Sequence, residues 1–413
     1  MPAVTERVVI VPGSNATRDA FGASRVSQAV TVYESKFLYD AQPLYWDDQQ
    51  TSGGGTTSAF VANKSLVRMA VGSLTAGTRV RQTFKRIVYQ AGKSHRVKMT
   101  YANMQAKPGI TKRIGYFNDK NGLFLESTST GLRFVRRTYT SGTAVDVKIE
   151  RSAWDQDQLR GGGGPDNPSN ITMLETAAQI FCIDFQWLSA GTVRYGFDIN
   201  GALRYCHHAD HANIIDLPYM QIPNLPLRTE ISNDGTGAAD SLDVICCCVE
   251  SEGGKDPTGP VFSVDRGVTP VTTGNDQLLY PVVCLRFQTG KMDSSIEVLA
   301  AQTVCNSTAL VRQATLLNPT FAGTALSWVA LANSVLEYAL PTSATTVTGG
   351  TQMFSDYYES TAQAQGSIQT AGATNLRLGS SIAGVSDILC LAAQRVTGGI
   401  ETIYGKINWR EQT

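Results

Sequence analysis

The strongest constraint on this chain is a strict two-residue alternation of apolar and polar side chains, repeated in short runs between turn signals. In "QIFCIDFQWL" (179–188), Phe181, Ile183, Phe185 and Trp187 point one way, and Ile180, Cys182, Asp184 and Gln186 the other. That period matches a strand with one buried face. "TVRYGFDINGALRYCHH" (192–208) repeats it, with Val193, Tyr195, Phe197 and Ile199 on one side. Asn200-Gly201 follows, the pair that a two-residue type I′ hairpin turn demands. In "SHRVKMTYA" (94–102), Val97, Met99 and Tyr101 alternate with Arg96, Lys98 and Thr100. "SLDVICCCVE" (241–250) is apolar on both faces and reads as a central strand covered on both sides. In "IETIYGKINWRE", Ile403, Ile407 and Trp409 share a face. "ALSWVALANSVLEYAL" (325–340) carries helical spacing through Trp328, Leu331, Val335 and Tyr338, yet its surroundings are β-rich. We read it as strands, with a short helix as the rival.

These runs predict an all-β chain. At 413 residues it is too long for one small sandwich. The 38 glycines fit many turns. The expected plan is two β-sandwich, jelly-roll-like domains, over 51–255 and 256–413, behind an extended arm over 1–50. "TSGGGTTS" (51–58) reads as a flexible connection and "SEGGKDPTGP" (251–260) as a boundary. "RGGGGPDNPSN" (160–170) is a surface loop, because four glycines order at high entropic cost.

Charge narrows the function classes. Lysine and arginine number 35, aspartate and glutamate 35, for a net charge of zero. A nucleic-acid binder ordinarily shows a basic excess, so no nucleic-acid partner is expected. "VVIV" near the start is too short for a signal peptide, and no apolar run reaches the roughly 20 residues that span a bilayer. The expectation is a protein made in the cytoplasm, with no membrane partner. The eight cysteines lack the spacing of a disulfide framework, and we read Cys246, Cys247 and Cys248 as small buried hydrophobes in reduced form on a strand.

The chemistry candidates are few. "CHHADH" (206–211) is the only cluster of metal-ligand types, offering His207, His208, Asp210 and His211. A catalytic zinc site needs three convergent ligands, and strand alternation separates these, so neither metal nor cofactor is expected. "AGKS" (91–94) imitates the end of a phosphate-binding loop. Position 87 is Ile rather than the required Gly, and a strand follows, so it reads as a turn. Asp184, Glu250 and Glu252 are the carboxylates a glycan depolymerase would use, Asp184 and Glu250 being the pair to test; separation in space would decide. Exposed aromatics over the second domain would mark a glycan platform, with Trp328, Tyr338, Tyr357 and Tyr358 as candidates. The aromatics of the arm (Tyr33, Phe37, Tyr39, Tyr45 and Trp46, with Phe21 ahead of them) either pack on the chain's own first domain or dock on a neighbouring subunit.

"DAFGASRVS" (19–27) followed by "YESKFLYDAQPLYWDD" (33–48) resembles the opening of a family of virion proteins of tailed phages and large DNA viruses. The similarity continues through "AGTRVRQTFKRIVYQAGKS" (76–94), "KRIGYFNDKNGLFLE" (112–126), "FCIDFQWLSAGTVRYGFDINGALRYCH" (181–207) and "MQIPNLPLRTEISNDGTG" (220–237), to "GKINWRE" (405–411). Ala23, Ser24, Ala91 and Ser189-Ala190 depart from its usual pattern, as do His208 and His211. The resemblance implies a non-enzymatic virion component that decorates or cements the head, or belongs to the collar or tail. Its partners would be copies of itself and other capsid or tail proteins. The alternatives are a receptor- or glycan-binding fibre module and, behind it, a depolymerase.

Overall fold

In the computed structural model, residues 28–360 and 378–412 are described. They form two all-β units, each built from two antiparallel sheets. The first unit runs in chain order through β1 (Ala29–Lys36), β2 (Trp46–Gly53), β3 (Thr56–Val61), β4 (Leu66–Val71), β5 (Gly77–Thr83), β6 (His95–Ala102), β7 (Ile110–Phe117), β8 (Gly122–Thr128), β9 (Gly131–Thr138), β10 (Val145–Glu150), β11 (Gln179–Phe185), β12 (Val193–Ile199), β13 (Ala202–Ala209), β14 (Leu227–Asn233) and β15 (Asp240–Glu252). One sheet has the order β13-β12-β11-β6-β15-β4-β3, with β1 also on β15; the other is β10-β9-β8-β7-β14-β5-β2.

The alternating runs form the walls of one core. Phe181 lies opposite Met99 and Ile183 opposite Val97 across β11 and β6. Val193, Tyr195 and Phe197 extend the same face. From the facing sheet come Ile114, Tyr116, Leu123, Leu125 and Phe134. Phe134 stacks on Trp154 at 4.1 Å and on Tyr195 at 4.7 Å. Burying each such side chain stabilises the fold by roughly 1.5–3 kcal/mol. Asn200 and Gly201 have φ of +56° and +74°, the left-handed pair the hairpin between β12 and β13 requires. β15 is central, and a bulge between Val244 and Cys246 resets its alternation. Cys247 therefore enters the core while Cys246 and Cys248 stand half-buried on the outer face. All eight cysteines are free thiols.

The expected arm is corrected over its second half. Residues 29–53 are not an arm: β1 lies on β15 and β2 on β5, inside the sheets of the first unit. Tyr33, Phe37 and Trp46 are core residues, each at most 3% exposed. Strand parity explains this, since Tyr33 and Ser35 point inward while Glu34 and Lys36 point out. "TSGGGTTS" likewise belongs to the end of β2 and the start of β3.

The second unit comprises β16 (Val261–Asp265), β17 (Val271–Thr272), β18 (Leu279–Phe287), β19 (Ser295–Cys305), β20 (Ala309–Leu317), β21 (Thr320–Gly323), β22 (Val329–Ala330), β23 (Leu336–Ala339), β24 (Thr345–Thr348), β25 (Thr351–Ser360), β26 (Leu389–Thr397) and β27 (Thr402–Gln412). β16, β17 and β19 pair with β27. The larger sheet has the order β21-β24-β18-β26-β20-β25, with the hairpin β22–β23 on β18. Ile403, Ile407 and Trp409 of β27 are fully buried against Val283, Leu285 and Leu391. The ambiguous stretch 325–340 is this hairpin, turned at Asn333 with φ +59°.

Candidate functional site

A cleft lined by exposed apolar side chains lies where the two units meet. Its first wall is the connection from β1 to β2. Phe37 and Trp46 anchor that connection in the core, with the Arg81 guanidinium 5.4 and 5.6 Å from their ring centres. Arg81 also donates to Ala41 O at 2.7 Å and to Asp48 at 2.6 Å. Burial lowers the pKa of Arg81, and Asp48 works against that. Trp46 Nε1 donates to Ser35 Oγ at 2.9 Å. Gln42, at φ +53°, closes the loop: its side chain donates to Lys36 O at 2.8 Å, and its carbonyl accepts from Tyr45 and Trp46 N–H.

With both ends pinned, the residues between them face outward. Tyr39 is 91% exposed, Leu38 54% and Leu44 57%, and Tyr45 stands beside them. A hydrogen-bonded turn that displays large apolar side chains departs from the ordinary scatter of surface hydrophobics. The second wall comes from the other unit, through Leu317, Met353, Gly379 and Asp387. Together the walls enclose a cleft of about 620 Å³ with Glu34, Lys36 and Lys85 at its edge. Burial pushes the Asp387 carboxyl up, although Asn318 Nδ2 at 2.8 Å and Gly379 N–H at 3.0 Å donate to it.

Polar contacts hold the walls in register. Ser380 N–H donates to Phe84 O at 3.1 Å, and Ile382 N–H to Asp47 at 2.6 Å. A Cβ on Gly379 would stand 2.6 Å from Phe84 O, so glycine is needed for the close approach. Arg86 is buried between the units. It donates to Thr83 O and Phe84 O on one side and to Ser380 O and Asp293 on the other. Burial lowers its pKa.

The other predicted sites are not assembled. His207 Nδ1 lies 3.1 Å from Asp155, and Asp210 accepts from Thr192 Oγ1 at 2.7 Å. His211 stacks on Tyr219 at 4.3 Å, with Nδ1 2.7 Å from Gly191 O, while His208 packs edge-on to Tyr205. Among the described residues no group of three or more His, Cys, Asp or Glu is placed to hold a metal. Asp184 is committed on both oxygens, to Ser94 Oγ at 2.8 Å and to Tyr205 OH at 2.6 Å together with Arg194. Glu250 pairs with Lys98 at 3.2 Å and with Arg96 at 3.7 Å, and Glu252 with Arg96 at 2.6 Å. Arg96 stands between Asp184 and Glu250 in cross-strand register, so the two carboxylates flank a cation on a sheet face.

Among the described residues, the four candidate aromatics form no platform on the second unit. Tyr358 is buried and Tyr357 exposed on neighbouring positions of β25. Trp328, with Arg286 4.2 Å from its ring centre, packs on the opposite side of the sheet from Tyr338. Lys93 of "AGKS" ties the connection between the units, donating to Gly253 O and Gly254 O.

Of the arm aromatics, then, Tyr39 and Tyr45 reach the cleft, Tyr33, Phe37 and Trp46 support it, and Phe21 lies outside the described residues. Sequence reasoning missed Leu38, Leu44 and Met353. Leu38 and Leu44 each adjoin an aromatic pair, which is the only local signal they carry.

Set against known proteins, the chain matches no family model and no curated protein. Solved structures with some likeness include the carbohydrate recognition domain of Emp46p, at 10% identity over 54% of this chain and 97% of that one, with a TM-score of 0.32. An endo-acting O-glycanase from members of the human gut microbiota shows 11% identity over 54% and 99%, with a TM-score of 0.35. A beta-1,3-glucanase from Mycobacterium marinum shows 10% identity over 53% and 98%, also at 0.35. Superpositions this loose identify neither a ligand nor an activity for this chain.

Proposed function

We propose that the protein is a non-enzymatic structural component of a virus particle, a head decoration, collar or tail protein. In this reading it docks on neighbouring shell subunits through the cleft between its two units. The observation that carries the docking surface is the exposure of Leu38, Tyr39, Leu44 and Tyr45 beside Met353. Contiguous apolar side chains of this size are enriched where protein surfaces meet, and aromatic ones contribute most of the energy. The similarity of "DAFGASRVS" and of the segments after it to virion proteins supplies the particle.

The test is incorporation. Quantitative mass spectrometry of purified particles should find the chain at a fixed copy number. The double substitution Leu38→Asp and Tyr39→Asp should leave the protein folded and reduce its copies per particle by about tenfold or more. Equal incorporation of that variant would remove the cleft from the mechanism, and absence of the wild-type chain from purified particles would remove the virion.

A second reading, a glycan-binding fibre or tail module, is favoured by Tyr39 itself. Its open ring beside Glu34, Lys36 and Lys85 offers a stacking face with polar groups around it. A glycan array with Tyr39→Ala as control distinguishes the two readings: wild-type signal that the variant loses selects the glycan, and no signal leaves the docking role.

A further inference from the structure

The glycine-rich loop ahead of β11 is built more tightly than a surface connection requires. Gly161, Gly162, Gly163 and Gly164 have φ of +73°, +81°, +65° and +93°. Four successive residues in that region strongly favour glycine, and glycine loses the most freedom on ordering. The loop is nevertheless tied into one shape. Gly161 N–H donates to Ile171 O at 2.9 Å, and Gln158 N–H to Asp166 O at 2.8 Å. Asp157, buried, accepts from Leu159 N–H at 2.9 Å and from Ser169 N–H at 3.2 Å.

Two observations point to a ligand. Asn167 is only 3% exposed, and its Oδ1 accepts from Arg160 N–H at 3.0 Å. That bond settles the orientation of the amide, so the other end is a donor, and this buried Nδ2 has no hydrogen-bond partner. A buried donor left unpaired is destabilising. It needs an acceptor, which a metal cation is not. Independently, the N–H groups of Gly162, Gly163 and Gly164 donate to no described residue, and Arg160, exposed in the same loop, forms no ion pair among them. Consecutive free amides on a tightly turned backbone are the elements of an anion-binding concavity.

We propose that this loop binds a small oxyanion of the sulfate or phosphate class, through the amides of Gly162–Gly164, Asn167 Nδ2 and the Arg160 guanidinium. The anion is either free or carried as a substituent on a sugar. The exposed Asp166 carboxylate opposes it and limits the affinity. This site is separate from the cleft and does not depend on the assembly reading.

Isothermal titration calorimetry of the full chain with sodium sulfate and with sodium phosphate, against sodium chloride at matched ionic strength, tests it. Wild type should give saturable heat with at least one of the two. Asn167→Asp keeps the acceptor for Arg160 N–H and replaces the unpaired donor with an anionic oxygen, so binding should vanish. Arg160→Gln, at an exposed position that leaves the fold intact, should weaken binding about tenfold, the usual effect of losing a charged donor. Lys64→Gln, an exposed charge on the β3–β4 turn, should change nothing. No saturable heat in wild type, or equal affinity in Asn167→Asp and Arg160→Gln, overturns the site; if the aspartate variant fails to fold, Arg160→Gln alone decides. A parallel titration with galactose 6-sulfate separates the sources. Tighter binding than inorganic sulfate assigns a sulfated sugar, and equal binding a free anion.

Discussion

Tyr39 and Phe37 stand two positions apart in one aromatic segment, and the fold uses them oppositely. Phe37 is sealed against Trp46 and Arg81, whereas Tyr39 projects into the cleft. Trp46→Ala should therefore destabilise the protein by about 3–5 kcal/mol, the range for emptying a large aromatic site. Tyr39→Ala should change stability by less than about 0.5 kcal/mol. Denaturant melts of the two variants check this, and a similar loss in both would mean that Tyr39 supports the core. His95 offers a test in pH. It is buried against Tyr89 and Phe185, and burial first, then Lys93 and Lys255, lowers its pKa to about 4. The unfolded chain takes a proton near pH 6.5, while the folded chain resists until about 4. Stability should thus decline as pH falls through that window, by on the order of 3 kcal/mol in all. His95→Phe should flatten that part of the stability–pH curve; an unchanged slope would assign the acid sensitivity elsewhere.

At the scale of elements, the runs of strict alternation became strands with the faces they advertise, because half-burial leaves a period of two in the sequence. The hairpin at Asn200-Gly201 was equally legible, its turn being chemically specified. The failures have physical causes too. β1 and β2 carry charged and polar residues on their outer faces and resemble a solvated arm; they are strands because β15 and β5 offer free edges far away in sequence. By contrast, 325–340 reads as strands against the helix its spacing also allows, and it is the hairpin β22–β23 paired with β18. A chain shortened to begin at Gln28 should consequently keep the first sandwich, while one shortened to begin at Thr51 should lose β1, Trp46 and cooperative folding. Circular dichroism and calorimetry of the two truncations would show it, and a folded protein beginning at Thr51 would contradict the structure.

For the whole molecule, the decisive contact is Arg86, whose hydrogen bonds reach both units. Arg86→Met would remove the donor shared by Thr83 O, Phe84 O and Ser380 O and the ion pair to the partly exposed Asp293, a loss of about 1–3 kcal/mol. Calorimetry should then resolve two unfolding transitions further apart than in the wild type; coincident behaviour would deny Arg86 its coupling role. The sequence by itself determined that the chain is all-β, where its central strands lie and which residues those strands bury, since each property depends on spacing between near neighbours. Only the tertiary structure decided that the aromatic segment is divided between core and cleft, that Asp184 and Glu250 are locked in ion pairs, and that a buried Asn167 donor lacks an acceptor. Those outcomes depend on which edges and side chains meet across long separations, and local periodicity holds no record of that.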